Sequence, residues 1–230
     1  SIRVFRAIDE PNTCQLFMNG HTEVLQIFNI TKITSANTAW FSNPNSFVII
    51  AEDLSTGKIV GGARIHVVGG TQPLPIEDAV GHMDANIHSM VREHGVKGSG
   101  ELCGLWNSRE VAGMGVSFLL TRAGVAIAEQ LKLCTLFIIC ADRTFFNIFR
   151  NQGFVIIKSL GNQGTFYYPK LDLLATAIII DDIDTLNYAQ PIDRERIIDL
   201  RNKPQQTTIE IGSKGILKVS YSLYIPKIWD

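Results

Sequence analysis

The chain has 230 residues, 46% of them hydrophobic, with 21 basic against 22 acidic side chains. That length and apolar content fit one domain with a sizeable core and room for a small appendage. The balanced charge and the lack of a basic block argue against a nucleic-acid partner, and no apolar run reaches the roughly 18 residues of a membrane helix.

Residues 2–7 read as a first strand. Pro11 opens a helical pattern that puts Phe17, His21, Val24, Leu25 and Phe28 on one face. Residues 31–45 are polar with apolar insertions, a short helix and a loop. The run 47–51 and the stretch 59–68 flank the turn cluster 53–58 and predict a hairpin. Residues 71–98 form a long insertion with Pro73 and Pro75, helical over 84–93, and an insertion of that length tends to be functional. A strand over 101–106 precedes Gly113-Met114-Gly115. Val116, Leu119, Leu120, Ala123, Ile127 and Leu131 then recur at helical spacing. The run 133–140 suits a central strand covered on both faces. A short helix comes next over 142–151, with Asp142 as N-cap and Gly153 as left-handed C-cap. Strands are predicted over 154–160 and 175–180, a helix over 191–200, and a hairpin over 207–211 and 216–223.

Four cysteines, at 14, 103, 134 and 140, form no Cys-x-x-Cys pair, and three lie in apolar stretches. They read as reduced thiols of a cytoplasmic protein, and the alternating N-terminus is unlike a signal peptide. His82, His88 and His94 are spaced by six on the insertion, too loosely for a metal site, so no metal is expected. His66 reads as a strand residue facing solvent, and His21 as a satisfied core histidine. Arg64 points out of its strand, able to bind a carboxylate or to form a structural ion pair. Trp40 and Phe41 either line a pocket or cover the sheet.

The strand, glycine turn and helix start form a place for an anionic phosphate. Orphan N–H groups of the first helical turn face the ligand, and the helix dipole adds positive potential. Backbone, rather than basic side chains, would hold that phosphate.

The order of elements, with Gly113-Met114-Gly115 at a helix start and Gly153-Phe154 after a short helix, resembles the GNAT superfamily of acyl-CoA N-acyltransferases over about residues 1–180. The resemblance implies an α/β (α+β) fold with a mixed, mostly antiparallel sheet flanked by helices. The acyltransferase domain would span 1–184, and a C-terminal helix and hairpin extension 185–230 would pack on it or on a partner chain. It implies acyl-CoA or acetyl-CoA as co-substrate. The turn Val111, Ala112, Gly113, Met114, Gly115 and Val116 would hold the pyrophosphate. Leu105, Trp106 and Asn107 would pair with pantetheine, and Asp142 would open the short helix where the family often has Asn. Glu110 departs from the family's Arg or Gln, so Arg109 would take that place with Glu110 turned to solvent. Phe149 stands where many members have a tyrosine acid, which leaves Tyr168, or Tyr167, as the candidate.

Amine attack on a thioester needs a base and an oxyanion donor. Glu101 is the candidate base. It shares a strand face with Cys103 and Leu105; the alternative is a solvated strand start. The Glu101-Leu102-Cys103-Gly104 run after the long insertion is loosely similar to acyl-homoserine-lactone and N-acyl amino acid synthases, which take longer acyl chains, often from acyl carrier protein. The sequence thus implies an enzyme moving an acyl group from acyl-CoA to a small-molecule amine. Acyl carrier protein as donor, and a protein that binds acyl-CoA without turnover, stay as alternatives. The alternating hairpin, apolar at Val219, Tyr221 and Leu223, needs cover from the core or from a second copy in a homodimer.

Overall fold

The computed structural model describes residues 1–30 and 37–226. Part of the helix and loop expected over 31–45 falls on 31–36, outside the described residues. The remainder of that stretch contains a short 3-10 turn, Ala39–Ser42.

Strand β1 (Ile2–Arg6) leads into helix α1 (Pro11–Ile27), where Pro11 takes a position whose N–H needs no partner. Strands β2 (Ser46–Asp53) and β3 (Lys58–Val67) form the hairpin. The insertion carries two helices, α2 (Pro75–Val80) and α3 (Asn86–Gly95). Helix α2 is too short to be evident from periodicity; the Glu77 carboxylate accepts the Leu74 N–H at 2.9 Å and fixes its start. Next come β4 (Ser99–Asn107), α4 (Val116–Ile127), β5 (Thr135–Ala141) and α5 (Asp142–Asn147). The segment expected as one strand over 154–160 pairs only as β6 (Val155–Ile156), and the chain returns as β7 (Thr165–Tyr167). Strand β8 (Leu174–Ile180), helix α6 (Pro191–Asn202) and the hairpin β9 (Gln205–Gly212) and β10 (Gly215–Ser222) complete the fold.

All strands join one sheet in the order β6-β8-β5-β4-β3-β2-β1-β10-β9, with β7 also on β8. Neighbours run antiparallel except β4 with β5 and β1 with β10. Strand alternation sends Ile49, Ile65 and Leu102 to one face, under Leu120 and Ala123 of α4. Val48 and Ile50 go to the other, under Phe17 and Met18 of α1, while α2 and α3 cover Phe137 on that same face.

The C-terminal hairpin belongs to this sheet. Val219, Tyr221 and Leu223 are buried in the α4-side core, so the chain itself covers that apolar face and no second copy is needed there. Arg122 of α4 pins the extension, with Nη2 at 3.0 Å from Asp193 and Nη1 at 3.2 Å from Glu210. The Tyr221 hydroxyl also donates to Glu210. No described helix is long and apolar enough to cross a membrane.

Candidate functional site

The site begins with a fault in the sheet. Strands β4 and β5 pair only over Ser99–Glu101 and Thr135–Phe137. Opposite β3 the register shifts between Gly62 and Arg64, and Gly104 takes φ +60°, so β4 carries a bulge there. Beyond it the two strands separate. The gap is a cleft lined by Glu101 to Leu105 on one side and Ile138 to Ala141 on the other. His21 and Leu25 of α1, Pro75, Thr144, Phe149 and Tyr168 complete its walls.

Glu101 is fully buried in this cleft, which removes the alternative of a solvated strand start. Its Oε2 accepts the Ile76 N–H at 2.6 Å, and Oε1 has no partner among the described residues. Burial pushes its pKa up to about 8, against the opposing pull of the Ile76 N–H and the Arg64 charge. Arg64 is buried rather than presented outward. Its guanidinium lies 4.2 Å over the Trp40 ring and aims at the sulfurs of Met18 and Cys103. Trp40 therefore covers the sheet. His66, expected at the surface, is 4% exposed and stands opposite Glu101 on β3. Burial and Arg64 hold it well below the usual histidine range.

His21 is also not the satisfied core histidine that its helix face suggests. It is buried, lines the cleft, and leaves Nδ1 without a partner among the described residues. Burial and then Arg64 push its pKa down to about 4. Cys103 lines the cleft as a thiol pushed up to about 11 by burial. Tyr168 reaches the cleft beside Phe149, whereas Tyr167 is exposed.

The cleft continues outward past Leu105 and Thr144 into a second, outer cavity. Leu105, Trp106, Asn107, Arg109 and Ala112 line it, so five of the residues expected at the cofactor come together. Val24, Ile27, Phe28, Ser117 and Thr144 join them, none of which the sequence singled out for the cofactor. The Ser117 hydroxyl donates a short hydrogen bond to Asn107 Oδ1. Glu110 is exposed and Arg109 faces the cavity.

The glycine turn borders this outer cavity. Gly113 and Gly115 have φ +85° and +83°, left-handed geometry that other residues resist. Ala112 and Met114 spend their N–H groups on the Arg109 and Val111 carbonyls, and the α4 start offers the N–H groups that any helix N-terminus leaves without an intrahelical acceptor. The β9–β10 tip closes over the turn. Ser213 Oγ and the Lys214 N–H both donate to the Gly113 carbonyl, at 2.9 and 3.1 Å. Val111 and Val116 line a separate pocket with Leu217 and Val219 rather than the outer cavity. Asp142 is the first residue of α5 rather than its N-cap, which is Ala141; its carboxylate is taken by the Thr176 hydroxyl at 3.0 Å. Among the described residues no cluster of three or more His, Cys, Asp or Glu gathers for a metal. His88 instead meets Glu77, and His94 meets Thr135.

No protein-family model and no curated protein matches the sequence. Among solved structures, FeeM, an N-acyl amino acid synthase from uncultured soil microbes, superposes with a TM-score of 0.63 at 16% identity, over 82% of this chain and 99% of that one. BjaI, a CoA-dependent acyl-homoserine lactone synthase solved with SAM and isopentyl-CoA, gives 0.57 at 14%, over 85% and 88%. An acyl-CoA N-acyltransferase from Pseudomonas aeruginosa gives 0.51 at 12%, over 78% and 97%. The chain thus has the GNAT-like fold, with similarity to its synthase branch; identities this low carry the fold alone.

Proposed function

We propose that this protein transfers an acyl group from acyl-CoA to an amine of a small molecule. The observation that carries the reading is the buried Glu101 carboxyl inside the gap between β4 and β5. The outer cavity would take the pantetheine arm along Leu105, Trp106 and Asn107. The turn Val111–Val116 would hold the pyrophosphate by backbone N–H groups, with Arg109 alongside. The free cysteines fit a reducing, cytoplasmic setting.

Glu101, as carboxylate, takes the proton of the attacking amine. A carboxyl with a pKa near 8 is a stronger base than an ordinary one and is half ionised close to working pH. A backbone N–H near Leu105 or Trp106 stabilises the oxyanion. The departing thiolate takes the Tyr168 proton, a role for which Phe149 has no group.

Calorimetric titration with acetyl-, octanoyl- and palmitoyl-CoA, followed by thiol release over an amine panel, tests this. The wild type is expected to bind at least one acyl-CoA and turn it over. Glu101→Gln should bind the same donor with kcat lower by about 10²–10⁴. Binding without turnover would leave an acyl-CoA-binding protein, turnover only with acyl carrier protein would change the donor, and no acyl-CoA binding at all would remove the reading.

A further inference from the structure

We propose that His21 recognises the acceptor, its imidazole hydrogen-bonding a hydroxyl or similar neutral polar group that the acceptor carries beside its amine. This rests on the cleft being the acyl-transfer site.

His21 stands where a substrate must pass. It lines the inner cleft from α1, with Glu101 and Cys103 on the β4 wall and Tyr168 on another side. Its neighbour Gly20 fixes that placement. A Cβ on Gly20 would collide with the Trp106 ring, so the absence of a side chain lets α1 lie directly on β4. The imidazole also packs 6.1 Å from the Phe17 ring. Held between Phe17 and the strand, it has little room to withdraw.

The orphaned Nδ1 points the same way. A buried nitrogen without a partner is destabilising, and a histidine serving only as core filler would be matched or replaced by an apolar ring. A ligand in the cleft would remove that cost.

Electrostatics then selects the ligand. The charged and titratable groups around His21 are Arg64 from β3, Glu101 and Cys103 from β4, Cys140 from β5, and Tyr168. With Arg64 near and the ring buried, the imidazole stays neutral at any working pH, with one N–H to donate and one lone pair to accept. A hydroxyl answers either nitrogen. A second ammonium on the acceptor meets the Arg64 field, and Glu101 is the single carboxylate on the cleft wall among the described residues, so di- and polyamines are poorly served.

The test uses amine pairs that differ by one hydroxyl, ethylamine against ethanolamine and phenethylamine against tyramine, with whichever acyl-CoA binds the wild type. The proteins are wild type, His21→Phe, which keeps the ring packing, and His21→Gln, which keeps a polar group. Wild type should favour the hydroxyl member of at least one pair by about tenfold or more in kcat/KM, the scale set by one hydrogen bond of roughly 1.4 kcal/mol. His21→Phe should bring that ratio near one, leave the acyl-CoA KM unchanged, and leave the pH midpoint set by Glu101 in place. His21→Gln should retain part of the preference. An indifferent wild type would overturn the proposal, as would a ratio that survives in a folded His21→Phe. A shifted pH midpoint would overturn it too, because His21 would then act in proton transfer. If His21→Phe does not fold, a wild-type preference that persists undiminished in His21→Gln and in a folded His21→Leu has the same force. A wild type that turns over no amine removes the acyl-transfer reading itself, a result distinct from loss of hydroxyl preference.

Discussion

On the α4 face of the sheet, Arg122 meets Asp193 and Glu210, and the Tyr221 hydroxyl completes the group. On the α1 face, His21, Ser46, His66 and Glu101 each bury a polar atom that no described residue answers. Both faces bury charge and polar groups; on the first Arg122 finds two carboxylates, although its Nε and Gln152 Oε1 stay without a partner among the described residues, whereas the second leaves a carboxylate oxygen and imidazole nitrogens unanswered. A matched network holds elements together; unmatched groups lower stability and persist where a ligand completes them. The sheet therefore divides its labour: the α4 face secures the C-terminal extension, and the α1 face carries the unanswered groups on which the proposed chemistry rests.

Breaking the matched face should have the largest effect. Arg122→Ala leaves the buried Asp193 and the partly buried Glu210 without their cation and should cost about 3–5 kcal/mol in denaturant unfolding. Losses below about 1 kcal/mol, the scale of an exposed pair, would mean the two faces are not different in kind. Gly20→Ala strikes the other face by volume. The methyl group enters the Trp106 ring, so about 1–3 kcal/mol should be lost, with a rise in acceptor KM as His21 shifts.

Glu101→Gln sharpens the contrast through pH. The folded-state pKa, about 8, lies above the ordinary value of 4.5, so folding favours the protonated carboxyl. The contribution of Glu101 is complete below about pH 4.5 and is lost as pH rises through 8. Relative to Glu101→Gln, wild-type stability should fall by about 1.4 kcal/mol per pH unit between those limits and then level off. Parallel melts across that range measure this, and a constant difference would place Glu101 in contact with water. His21 works the other way. Its pKa is lowered to about 4, so its contribution is complete above about 6.5 and is lost as pH falls toward 4.

Much of this is legible in the residues, and the failures have a common cause. Gly113, Gly115 and Gly153 announce their turns because only glycine adopts left-handed backbone freely. The long apolar runs of β2 and β5 announce central strands. Arg64-Ile65-His66-Val67 alternates like a strand with one wet face, but α1 and Trp40 cover that face, and covering is a tertiary property no local pattern carries. Glu101 is the right type of residue at a plausible place, while its burial depends on α2, a helix too short to show a period. The spacing of Phe17, His21 and Leu25 marks a helix face without saying that the face ends in a cleft.

The pairing of Ile2 with Tyr221 has a consequence for how the molecule forms. Strands β1 and β2 are joined by the segment that carries α1, but β10 must return from the far end of the described chain to lie beside β1. Contacts of such long sequence separation form slowly, since the intervening chain is ordered before they are gained. The tip of that same hairpin grips the Gly113 carbonyl. The glycine turn is thus finished by a segment whose sheet contacts are among the longest-range in the chain, so the turn takes its final shape only as the sheet closes.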